Sequence, residues 1–202
     1  GIYASERVIA ADELMAVPDD LSDALVASSL LRGLTADVLL HRVVQVGQGS
    51  RILVQAAGGG MGQILSQWAT QLGAMVIGTA GSDATAKKAD RCGCVEVIRY
   101  RGEGKQDVAA RVMEITHGEG VDVAYDGVGK DSFDGSLASL TFGGQLVMYG
   151  QSSGPVPPLE IPRLAARSNS VCRPMVFHFV KKAKECDAMA VRVLEALRKK
   201  HV

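Results

Sequence analysis

The sequence has few aromatic residues, only 4% Phe, Trp and Tyr, and no net charge, its 22 lysines and arginines matching 22 aspartates and glutamates. A protein that binds nucleic acid through bulk charge carries a basic excess, and a stacking platform for single strands needs aromatics. Strong nucleic-acid binding is therefore not expected. Four cysteines, Cys92, Cys94, Cys172 and Cys186, are too sparse for a disulfide scaffold. Cys92 and Cys94 flank a glycine instead of forming a CxxC pair, and no second pair completes a zinc site, so no metal is expected. The thiols read as the reduced cysteines of a cytoplasmic protein. No apolar run reaches the ~18 residues of a membrane span, and no signal peptide opens the chain. His41, His117, His178 and His201 stand apart in sequence, and nothing in it pairs them with a carboxylate or thiol.

What is present is ordinary for a globular protein: 202 residues, 47% apolar and 22% charged. The length suits one domain with appendages. From Arg51 onward, short apolar runs alternate with helical patterns. Ile52–Val54, Met75–Ile77, Val95–Ile98, Val121–Tyr125 and Gln145–Tyr149 read as strands. Gln63–Leu72, Ser82–Arg91, Asp107–Thr116 and Ser132–Leu140 read as the helices between them, with Ser82 or Asp83 as an N-cap. Repeated strand–helix alternation implies parallel strands with helical crossovers, hence an α/β doubly wound sheet with helices on both faces.

The flanks depart from this rhythm. Tyr3–Ile9 is strand-like but has no helix partner. Leu21–Val44 reads as two helices separated near Gly33. Residues Ser152–Pro162 hold four of the six prolines and read as a loop, and Lys181–Lys200 as a helix with Met189, Val193 and Leu197 on one stripe. The charged run Lys181–Glu185 reads as a solvated helix face.

Glycine is enriched, at 23 residues, and clusters in Val54-Gln55-Ala56-Ala57-Gly58-Gly59-Gly60-Met61-Gly62. The cluster follows a strand and opens a helix, the context of a dinucleotide fingerprint. Glycines there permit a tight turn and close approach of backbone to pyrophosphate, and the last lets helix and strand pack closely. The helix N-terminus then offers free N–H groups and a positive dipole end to the phosphates. A P-loop would need lysine and then serine or threonine after its last glycine, where this chain has Gln63-Ile64. A methyltransferase would need an acid at the end of the second strand. That end reads Gly78-Thr79-Ala80-Gly81-Ser82. NAD sites also place an acid about 20 residues after the glycines, and an acid there would repel a 2′-phosphate. Gly81 and Ser82, with Lys87 or Lys88, thus favour NADPH.

Five segments together resemble the zeta-crystallin type of NADPH:quinone oxidoreductase in the medium-chain dehydrogenase/reductase superfamily. They are the glycine cluster, Gly33-Leu34-Thr35-Ala36, Tyr125-Asp126-Gly127-Val128-Gly129, Gly150-Gln151-Ser152-Ser153-Gly154-Pro155 and Arg173-Pro174. The resemblance implies a Rossmann-type coenzyme domain over 19–178, preceded at 1–18 by the end of a GroES-like catalytic domain. Residues 179–202 would be a C-terminal helix leading to a further segment. A chain that opens on Gly1 and not methionine accords with a fragment of a longer protein.

The resemblance places Thr35 near the nicotinamide and Gly59, Gly60, Met61 and Gly62 at the pyrophosphate. Gly81 and Tyr100 fall at the 2′-phosphate, where Thr85 stands in place of the usual lysine. Gly127, Val128, Gly129, Gly150, Gln151 and Ser152 fall beside the nicotinamide. Zinc-dependent relatives carry a ligand cysteine where this chain has Leu31, so the resemblance is to the zinc-independent branch. Tyr125 and Asp126 read as packing and turn residues, and Arg173 as a cofactor contact or a helix cap. The implied activity is hydride transfer from NADPH to a quinone or other α,β-unsaturated carbonyl; the apolar residues of Gly1–Val17 are expected to pack against a second copy in a homodimer. Catalytic residues are not identifiable in this chain. The other reading left open is a non-catalytic nucleotide-binding module with a structural or RNA-associated role.

Overall fold

The computed structural model describes residues 4–11, 14–180, 183–199 and 201–202, with 183–185 described by backbone alone. Its elements are α1 (Asp23–Asp37), β1 (Arg51–Val54), α2 (Gly60–Gln71), β2 (Met75–Ala80), α3 (Asp83–Arg91), β3 (Glu96–Arg99) and α4 (Val108–Ile115). They continue as β4 (Val121–Asp126), α5 (Phe133–Ala138), β5 (Leu140–Met148), α6 (Pro162–Ala165), β6 (Ser170–Cys172), α7 (Val176–Phe179) and α8 (Ala183–Arg198). The six strands form one sheet in the order β3-β2-β1-β4-β5-β6, and every neighbouring pair is parallel. This is the doubly wound arrangement expected from the alternation.

Side chains alternate across the sheet, as a strand's period of two requires. Ile52 and Val54 of β1 join Val76, Val123 and Tyr125 in a core roofed by α1, α2 and α8. Leu53 faces the other way, with Ile77, Ala124 and Leu146 under Val112 of α4 and Phe133 and Leu137 of α5. Both faces are covered, which is why the strands read as continuous apolar runs. Three of the helix starts, those of α1, α3 and α4, are capped by side chains. The Ser22 hydroxyl accepts from the Leu25 N–H, the Asp107 carboxyl accepts from the Ala110 N–H, and Ser82 and Thr85 form a reciprocal capping box.

Three expectations are corrected. First, α1 runs through Gly33 without a break and continues into a π-helical turn, Val38–Val43. Gly33 is there for packing: a Cβ would meet the Val193 side chain of α8, so its absence lets the two helices approach. Second, no strand forms over 4–10, which are exposed, while Tyr3 lies outside the described residues. β-propensity without a neighbouring strand has no ladder to satisfy its backbone groups. Third, His41 is not alone. Its Nδ1 lies 3.4 Å from the Asp37 carboxyl, one helical turn back.

The charged run Lys181–Glu185 falls outside the described side chains. The rod Asp23–Val43 is long and apolar enough, by length and composition alone, to cross a membrane. It nevertheless carries Arg32 and Asp37 and buries Leu34, Ala36 and Val38–Leu40 in the core. Its properties are those of a core helix in this fold. The stripe Met189, Val193 and Leu197 of α8 packs into the same core.

Candidate dinucleotide site

The strand order reverses between β1 and β4, whose connections leave in opposite directions along the sheet. Such a switch point opens a crevice beyond the carboxyl ends of the strands. The glycine cluster lies there. Ala56 takes a left-handed conformation (φ 53°), uncommon without glycine, and begins the turn. Thr79, near the end of β2, holds the turn from below. Its Oγ1 accepts from the Ala56 N–H (3.0 Å), and its carbonyl accepts from the Ala57 N–H (2.9 Å).

The glycines have separate roles. A Cβ on Gly62 would lie 2.6 Å from the Ala57 Cα, so α2 could not close on the turn. A Cβ on Gly58 would lie 2.9 Å from the Thr85 Cα, so this glycine seats α3, not a phosphate. A Cβ on Gly60 would lie 2.9 Å from Cζ of Arg32. No side chain caps the N-terminus of α2, whose first turn holds Gly60, Met61 and Gly62. First-turn N–H groups have no carbonyl within their own helix, so this end can take an anion. The Met61 side chain packs into the core, leaving its backbone to the crevice.

Gly81 and Tyr100 are brought together, as expected. A Cβ on Gly81 would lie 3.1 Å from the Tyr100 Oη. Both border a cleft of about 320 Å³ with Gly58, Gly59, Ser82 and Thr85. Lys87 and Lys88 are exposed on α3 and do not line it. Arg101 does line it, and with Tyr100 it also lines a second cleft of about 370 Å³ that reaches Gln55, Asp107 and Ser132. The nearest acid after β2, Asp83, is ion-paired with Arg99.

The loops after β4 and β5 interlock. Ser152 N–H donates to the Gly127 carbonyl (3.1 Å) and Ser153 N–H to the Val128 carbonyl (2.8 Å). A Cβ on Gly150 would press on the Gly127 backbone, and Gly129 needs its positive φ of 94°. Asp126 is buried at the root of these loops. Its carboxyl accepts from the Val128 and Gly129 N–H groups and from the Ser132 and Ser136 hydroxyls. Ser136 in turn accepts from Gln55 Nε2 (2.9 Å), and Gln55 Oε1 accepts from Thr79 (2.7 Å). The Tyr125 hydroxyl donates to the Leu39 carbonyl (2.9 Å), and burial keeps its phenol protonated. Tyr125 and Asp126 are thus packing and turn residues.

Arg173 bonds the Met148 carbonyl at the end of β5 (2.9 Å), a strand end and not a helix cap. Thr35 sits half-buried on α1, its hydroxyl donating to the Leu31 carbonyl (2.8 Å), and borders neither cleft. Sequence reasoning missed Arg101, which lines both clefts. The only signal was a basic residue just after Tyr100.

A parallel 3-2-1-4-5-6 sheet with a glycine turn at its switch point defines a dinucleotide-binding type of α/β domain. Residues 60–194 match the model of the family described as zinc-binding dehydrogenase. The chain belongs to that family. It is 39% identical to a 2-haloacrylate reductase of Burkholderia sp, over 98% of this chain and 60% of that protein. It is 41% identical to quinone oxidoreductase 1 of Escherichia coli, over 77% of this chain and 47% of that one. The structure of the Escherichia coli quinone oxidoreductase complexed with NADPH superposes with a TM-score of 0.89 at 33% identity, over 95% of this chain and 58% of that one. The resemblance to quinone oxidoreductases of the medium-chain superfamily is thereby borne out. The chain spans about half to three-fifths of the length of these relatives.

The zinc in the family's name finds no fit here. Leu31, which the resemblance sets where zinc-dependent relatives carry a ligand cysteine, is exposed and offers no donor, and no cluster of three His, Cys, Asp or Glu side chains occurs among the described residues.

Proposed function

We propose that this chain is the NADPH-binding part of a reductase that passes hydride to a quinone or another α,β-unsaturated carbonyl. The observation that carries the reading is the acid-free end of β2, where Gly81, Ser82 and Tyr100 border a cleft opening beside the glycine turn. An NAD site would present a carboxylate there. The chain's own residues divide the work. The first turn of α2, at Gly60, Met61 and Gly62, holds the pyrophosphate with backbone N–H groups. Gly81, Ser82 and Tyr100 hold the adenosine end. The interlocked loops Gly127–Gly129 and Gly150–Ser152, with Thr35, flank the nicotinamide end and fix its orientation. Bound NADPH supplies the hydride, and the protein supplies position and a shaped pocket.

Residues 19–178 form the coenzyme domain in this reading, with α8 of the segment 179–202 packed onto its core, and both 1–18 and 179–202 leading to other parts of a longer protein of the cytoplasm. The four thiols, all unpaired, accord with a reducing compartment. A homodimer belongs to the same reading. β6 ends the sheet, and Met175 and Phe177 just beyond it are exposed. Light scattering tests the dimer. Calorimetric titration tests the cofactor: NADPH should bind more tightly than NADH, and equal or reversed affinities would sink the reading. Quinone-dependent oxidation of NADPH by the whole protein tests the activity.

A further inference from the structure

Thr85, the α3 side chain that lines the smaller cleft with Ser82, is already occupied. Its Oγ1 accepts from the Ser82 N–H (3.1 Å) and donates to the Ser82 carbonyl (2.9 Å). Lys87 and Lys88 do not line the cleft, and Arg99 is tied to Asp83. The cation left at the mouth is Arg101. Its guanidinium carbon lies 5.5 Å from the centre of the Tyr100 ring, and its side chain is 67% exposed. Among the described residues its one ion pair is loose: Nη2 lies 3.9 Å from Oδ2 of Asp131, across the larger cleft.

We propose that Arg101 is the specificity-determining cation for the dinucleotide's 2′-phosphate, and that Asp131 is its resting partner, released when the phosphate arrives. This rests on the dinucleotide reading above. The exchange is favourable in kind. A long, exposed carboxylate pair holds an arginine weakly. A phosphate offers charge-assisted, bidentate hydrogen bonds to the planar guanidinium. The Tyr100 ring keeps the arginine at the cleft in both states through its π-face. Gly81 keeps the space between them open, since a Cβ there would lie 3.1 Å from the Tyr100 Oη and 3.7 Å from the Arg101 Cδ. A cofactor with a free 2′-hydroxyl leaves Arg101 on Asp131 and gains nothing from it.

The test measures dissociation constants for NADPH, NADH, adenosine 2′,5′-bisphosphate and 5′-AMP on this chain and on Arg101→Ala, Arg101→Lys and Asp131→Asn. Arg101→Ala should weaken NADPH and the bisphosphate by about 10- to 100-fold, the worth of a hydrogen bond to a charged group, and leave NADH and 5′-AMP within about twofold. Arg101→Lys should retain part of the preference. Asp131→Asn should tighten the two 2′-phosphate ligands by about two- to fivefold, the size of an exposed pair released. Equal weakening of all four ligands by Arg101→Ala, or no change in any, overturns the proposal while leaving the dinucleotide reading standing. An unsubstituted chain that binds none of the four overturns both.

Discussion

Asp37 of α1 and Arg192 of α8, 155 residues apart, form a two-pronged ion pair: Nε to Oδ1 at 2.6 Å and Nη2 to Oδ2 at 2.7 Å. Asp37 is fully buried, whereas Arg192 keeps 38% of its side chain in water. Alongside, Gly33 makes room for Val193, so the same helix pair is joined by a close apolar contact and a charged one.

Arg192→Met should therefore destabilise the chain by about 2–4 kcal/mol, because it strands a buried carboxylate. The lower end allows for the arginine's exposure. Asp37→Leu combined with Arg192→Met should cost less than the single change, since no charge is then buried alone. Urea unfolding measures both, and an equal or larger loss in the double variant would show that the pair itself is what stabilises.

The same carboxylate sets an acid limit. Burial alone would raise its pKa, but the hydrogen bonds from Arg192 and His41 outweigh burial and hold it below its ordinary 3.8. The unfolded chain thus binds more protons than the folded one in this range, and stability falls as pH drops. The contribution should be whole above about pH 4–5 and fade below it. Thermal midpoints of the native chain and Arg192→Met should converge as pH falls through that window.

The α/β alternation and the glycine turn were legible because both are local: a period of two against 3.6, and a strand–glycine–helix junction. Gly33 misled because a glycine inside a helix and one between helices look alike until Val193 arrives from the far end of the chain. The stretch 4–9 misled because propensity says nothing about whether a partner strand lies beside it. His41 and Asp37 were findable, being one turn apart on a helix. Gln55 and Ser136 were not: 81 residues separate them, and only the sheet order brings β1 and the start of α5 together.

Ser136→Ala should cost about 1–3 kcal/mol, since it leaves Gln55 Nε2 without a buried partner and takes one donor from Asp126. If the network also fixes the loop at Gly127–Gly129, dinucleotide affinity should drop with it. Unfolding and titration on one preparation check both, and an unaltered melting curve would mean that the serine is dispensable.

Cys94 should resist alkylation. Burial pushes its thiol up to about 11, so almost no thiolate exists at neutral pH. Mass spectrometry after iodoacetamide at pH 7.5 should find Cys94 unmodified in the native chain and modified in urea. Rapid native labelling would mean that the wall between α2 and β3 opens readily.

Gly58 and Gly62 are four residues apart and should fail differently. At Gly62 the obstruction is the Ala56–Ala57 backbone, part of the turn itself. A valine there forces α2 off the turn and moves the first-turn N–H groups away from where a pyrophosphate would sit. Gly62→Val should abolish dinucleotide binding while most of the sheet still forms. At Gly58 the obstruction is the Thr85 backbone, so even alanine pushes α3 outward and disturbs the seat of Ser82 and Thr85. Gly58→Ala should lower stability and weaken the 2′-phosphate ligands more than it weakens pyrophosphate alone. Circular dichroism melts separate the folding losses, and titration with NADPH, adenosine 2′,5′-bisphosphate and inorganic pyrophosphate separates the binding losses. If Gly62→Val binds NADPH as the native chain does, the glycine turn does not hold the cofactor, and the site must be sought elsewhere on the sheet.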